Sequence, residues 1–93
     1  MSDPFEWDKA KAAENYAKHG VSFETATKVF KDAFAVERLD DRGDYDEERS
    51  ILIGTAEGAL LTVIYTERHG SIRIISARRA TKHERDDYFI ANN

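Results

Sequence analysis

Three histidines and two groups of basic residues are the side chains in this chain with the means to do chemistry. His19 stands just before Gly20, and Lys11 and Lys18 precede it at helical spacing. Downstream, Arg68, Arg73, Arg78 and Arg79 fall within a short basic stretch, with Glu67 beside them. An imidazole takes up and gives back a proton near neutral pH. A guanidinium presents a planar fork that matches the oxygens of a phosphate or carboxylate. Proton transfer beside a bound anion is therefore the chemistry these residue types support. The histidines have no close ligand spacing and there is no cysteine, so no metal site and no cofactor are expected.

The net charge of −4 hides how the charge is distributed. Residues 37–48 hold seven acids and two bases, and residues 67–85 hold six bases and two acids. Local potential decides what a polyanion meets, so an acidic protein can still bind one through a basic face. The acidic stretch reads as a solvated loop. A solvated surface is the alternative reading of the lysines and arginines.

Ninety-three residues make one domain, 1–93, with a modest core that buries roughly 60–65% of the unfolded surface. The absence of cysteine fits a reducing compartment. Met1-Ser2-Asp3-Pro4 has no basic or apolar leader character, and the longest mainly apolar stretch, Ala59 to Tyr65, is far short of a membrane span. A cytoplasmic protein without membrane contact is expected.

The elements that must position these residues follow from local signals. Phe5-Glu6-Trp7 reads as an edge strand or extended lead-in, and Asp8 as the N-cap of a helix through His19. Ala13, Tyr16, Ala17 and Gly20 give that helix an apolar stripe, and Gly20 suits its left-handed end. Ser22 caps a second helix, Phe23 to about Lys31, followed by a strand at Phe34–Glu37. Ile51–Ile53, Leu60–Glu67 and Ile72–Arg78 are β-rich runs separated by Glu57-Gly58 and His69-Gly70 turns. Such short connections make an antiparallel meander. Thr81-Lys82-His83-Glu84 reads as a capping box opening a last helix to about Ile90. The expected class is α+β, with N-terminal helices, a β meander and a C-terminal helix, all helices on one sheet face. Trp7, Tyr16, Tyr65 and Tyr88 are available for core packing or for stacking on bases.

Alternation in the last strand puts Arg78 with Ile72 and Ile74, and Arg79 on the other face with Arg73. If the isoleucines face the core, Arg78 emerges at its margin and needs an anionic partner. One of the two arginines is a candidate partner of Glu84. Glu67 is either a general base or the ion-pair partner of Arg73 across the hairpin.

In order and spacing, Trp7-Asp8, Lys11, Asn15 and Lys18-His19-Gly20-Val21-Ser22-Phe23 resemble the opening of BrnT toxins. Ile53-Gly54, Val63, Tyr65-Thr66-Glu67-Arg68, Arg73 to Thr81 and Glu84-Arg85 resemble the family's second half. The resemblance runs from about Phe5 to Phe89, with the acidic loop as its departure. It implies a type II toxin of RelE-like fold that cuts RNA and blocks translation. It also implies a BrnA partner, a small ribbon-helix-helix antitoxin that binds the operon's DNA; antitoxin dimerisation makes a heterotetramer the expected form. Metal-independent RNA cleavage needs a base for the 2′-hydroxyl proton, cations for the phosphorane and an acid for the 5′-oxygen. His19, Arg78 and Glu67 are the candidate catalytic residues, and Lys11, Lys18, Arg68, Arg73 and Arg79 the candidate RNA contacts. A module of the same fold that binds the antitoxin without catalysis is the alternative.

Overall fold

The computed structural model describes residues 4–41 and 47–93. Strand β1 (Phe5–Glu6) leads into helix α1 (Lys9–His19). The Asp8 carboxylate accepts from the Lys11 amide at 3.0 Å, and Gly20, at φ 70°, closes the helix where a Cβ would be strained. Helix α2 (Phe23–Thr27) starts on the Ser22 cap and tightens into a 3₁₀ turn, Lys28–Lys31. Strands β2 (Val36–Asp40), β3 (Arg49–Ala56), β4 (Ala59–Arg68) and β5 (Ser71–Arg79) precede helix α3 (Lys82–Ala91). The expected second strand lies a few residues later than Phe34–Glu37 and takes in the start of the acidic stretch. The tip of that stretch, 42–46, falls outside the described residues.

The strands form one sheet in the order β1-β5-β4-β3-β2. The β2 to β5 neighbours are antiparallel, as the turns require, while β1 pairs parallel with β5 at Ile72 and Arg73. The molecule is α+β, but its helices do not share a face. Phe23, Ala26 and Val29 pack with Leu52, Leu61, Val63 and Ile74 on one side. Tyr88 of α3 packs with Ile51, Ile53, Leu60 and Ile64 on the other. The expectation of a single helical face is corrected by these alternating positions: β3 and β4 are apolar on both sides, so both sides need cover. Trp7 stacks edge-on to Phe23, and Tyr65 and Tyr88 are buried, which assigns these three aromatics to packing.

A bulge in β5 changes the reading of its arginines. Ile64 opposes Ser76 and Tyr65 opposes Ile74, which leaves Ile75 as the extra residue. Alternation is reset there. Ile72 and Ile74 face α1, but beyond the bulge Ala77 and Arg79 face α1 and Arg78 lies opposite Thr62 on the α3 side. The parity that grouped Arg78 with Ile72 and Ile74 is therefore corrected.

The inward side of α1 is also not the expected stripe. Ala13, Tyr16 and Ala17 are exposed, whereas Asn15 is buried. The Asn15 amide accepts from the Ala77 N–H (3.2 Å) and donates to the carbonyls of Ala77 (2.8 Å) and Val21 (3.0 Å). One side chain thus substitutes for a neighbouring strand where β1 has ended. Asn15→Ala would strand buried amide groups of β5, and an expected loss of about 2–4 kcal/mol in urea unfolding checks this role.

Candidate functional site

Asn15 fixes α1 across the edge of β5, and so fixes the residues one turn away on either side. Lys11, Lys18 and His19 line a cleft of about 240 Å³ together with Glu14, Asn15, Ile75 and Ser76. His19 is half-buried in the last turn of α1. A second cleft, about 160 Å³, is lined by Asp8, Lys11, Glu47, Arg49, Arg68, Arg73, Ile74 and Ile75. The two clefts share Lys11 and Ile75, so they make one groove over the edge of β5.

Five cations line this groove, Lys11, Lys18, Arg49, Arg68 and Arg73, against the carboxylates of Asp8, Glu14 and Glu47. Two of the carboxylates are already engaged. The Lys11 amide holds the Asp8 carboxyl below its ordinary range. Arg68 grips Glu47 through Nε and Nη2, both at 3.0 Å, and lowers it likewise. Arg68 and Arg73 reach the groove because residues two apart across the hairpin register, at Arg68–Ser71 and Thr66–Arg73, share a face. The arrangement can hold successive phosphates beside an imidazole.

A family model described as the ribonuclease toxin BrnT of type II toxin–antitoxin systems matches residues 7–84. The chain belongs to the BrnT family. No curated protein matches it. The match spans every residue that lines the BrnT groove.

Of the residues expected at a BrnT site, the groove gathers His19, Lys11, Lys18, Arg68 and Arg73. It does not gather the other three. Glu67 opposes Ile72, one position along from the Thr66–Arg73 pair, so Glu67 and Arg73 point to opposite faces and the expected ion pair between them is not formed. Arg78 is turned to α3, where Nη1 and Nη2 donate to the two oxygens of Glu84 at 2.7 and 2.9 Å. This is the Glu84 partnership anticipated for one of the two arginines. Arg79 lines a separate, larger cleft with Tyr16 and Glu57. His69 and His83 are exposed.

Two residues were not among the candidate site residues read from the sequence. Arg49 enters the groove only through the pairing of β3 with β4. Asn15 did carry a signal: asparagine is a weak helix former, and a mid-helix position implies another task.

Proposed function

We propose that this BrnT-family chain is a metal-independent endoribonuclease of RelE-like fold, with the groove over β5 as its RNA site. The observation that carries the reading is the junction of His19 with Lys11 and Lys18 in one cleft that continues to Arg68 and Arg73. Lys11, Lys18, Arg68 and Arg73 contact phosphates, and His19 moves a proton at the scissile bond. The 2′-oxygen attacks phosphorus as its proton leaves, the bond to the 5′-oxygen breaks, and that oxygen gains a proton. The products are a 2′,3′-cyclic phosphate and a 5′-hydroxyl. Cation contacts stabilise the charge of the pentacoordinate state. Arg78 holds Glu84 of α3 and lines neither part of this groove.

RNA loss in the cytoplasm would stop translation, so the chain needs a mask. A type II toxin has an antitoxin partner. In this reading the partner is a BrnA-like ribbon-helix-helix protein whose dimer makes a heterotetramer and supplies the contact with operator DNA. A basic groove suits an acidic segment of such a partner.

Inducible expression tests the reading. Growth arrest with RNA loss, rescued by the cognate antitoxin, supports it; normal growth and intact RNA with soluble, folded protein favours the non-catalytic module. The phosphate contacts have their own measure. Replacing Lys11, Lys18 or Arg73 by Gln is expected to reduce the slope of log affinity for single-stranded RNA against log salt by about 0.7 per residue. An unchanged slope places the RNA elsewhere.

A further inference from the structure

A cleft larger than either part of the groove adjoins it. It encloses about 450 Å³ between the end of α1 and the β3–β4 turn, and Tyr16, Gly20, Thr25, Glu57 and Arg79 are among its lining. That volume lies within the ~300–1,000 Å³ range of small-molecule sites. His19 lines the groove and the next residue, Gly20, lines this cleft, so the two sites abut.

Resting on the ribonuclease reading, we propose that this cleft is a guanine subsite for a nucleotide beside the scissile phosphate. Three observations converge on it. Tyr16 leaves 59% of its surface exposed at the mouth, an aromatic face that no core contact uses. Arg79 offers a double donor and makes no ion pair among the described residues. Glu57 offers a double acceptor, held in place by Lys28 Nζ at 2.7 Å and Thr25 Oγ1 at 3.2 Å, both on Oε2. A guanidinium pairs with the O6 and N7 acceptors of guanine. A carboxylate pairs with the N1–H and N2–H donors on its other edge. Adenine and uracil offer neither edge, and cytosine lacks the double-donor edge. The bond from Lys28 keeps the Glu57 carboxyl below its ordinary range, so the acceptor remains ionised at neutral pH.

The turn that carries Glu57 explains why it can serve. Glu57 and Gly58 both have positive φ, 51° and 80°, which tightens the hairpin and sets the carboxylate over α2 instead of along the strand.

NMR titration of the whole chain with the four nucleoside monophosphates tests the proposal, together with cleavage of RNA oligonucleotides that vary one base beside the cut. The expected result is that Tyr16, Glu57 and Arg79 signals respond to guanosine monophosphate at concentrations about tenfold or more below the others. Glu57→Gln and Arg79→Gln, checked as folded by circular dichroism, should lose about tenfold or more of the preference for guanine-containing sites. An equal response to all four nucleotides, or signals that move only when the antitoxin is added, overturns the subsite. Cleavage by the unmodified chain without guanine preference overturns it while leaving the ribonuclease reading intact. Guanosine monophosphate binding by a chain that cuts no RNA does the reverse.

Discussion

His19→Ala is expected to lower RNA cleavage by about 10²–10⁴-fold, the usual contribution of a positioned acid or base. His19 is half-buried at the end of α1 and belongs to neither core cluster, so the variant should remain folded. RNA affinity should change little, because the five cations of the groove remain. That split separates proton transfer from binding. His19→Lys sharpens it, since it places a cation at the helix end without an imidazole. If His19 acts only by charge, His19→Lys restores cleavage; if it moves a proton, cleavage stays low. Full cleavage by folded His19→Ala would move the site away from this cleft.

The residues of that cleft were legible because three of them sit on one helix. Lys11, Lys18 and His19 follow from α1, and α1 is bounded by local chemistry, the Asp8 cap and Gly20. The capping box of α3 is equally local, with Glu84 N to Thr81 Oγ1 at 3.2 Å and Thr81 N to Glu84 Oε1 at 2.8 Å. What the sequence hid depends on a partner strand. Ile74-Ile75-Ser76 has no residue that marks a bulge; the extra residue exists only relative to β4. One residue of slip exchanges faces, and that is why Arg78 reaches α3; Glu67 misses Arg73 because the His69-Gly70 turn sets Glu67 opposite Ile72. The second apolar face was readable in principle. The nearly unbroken run from Leu60 to Tyr65 is that of a strand covered on both sides, and Thr62 fits within it because its hydroxyl donates to Glu84 at 2.9 Å.

The same bonds make Arg78→Ala the substitution with the largest expected cost in stability. The Glu84 side chain is 7% exposed and the Arg78 side chain 24%. Burial pushes the Glu84 carboxyl up; the Arg78 fork, the Thr81 amide and the Thr62 hydroxyl outweigh it and hold the group at about 2, against an ordinary 4.5. A depressed carboxylate stabilises the fold above its unfolded value, and the contribution is lost as pH falls from about 4.5 towards 2. Its size is on the order of 3 kcal/mol. Removing the guanidinium leaves a buried carboxylate without its cation, at an expected cost of about 3–5 kcal/mol. In a domain of this size that lowers Tm by roughly 12–25 °C. The acid limb of stability between pH 5 and 2 should flatten in Arg78→Ala, and Arg78→Met combined with Glu84→Gln should recover much of the loss, because no charge is then left buried. Thermal unfolding across pH measures both. These changes also decide what Arg78 does for cleavage. A residue that acts by holding α3 loses activity in proportion to the folded protein lost, and the double variant regains it. Cleavage that stays low in a fully folded double variant would return Arg78 to the phosphate.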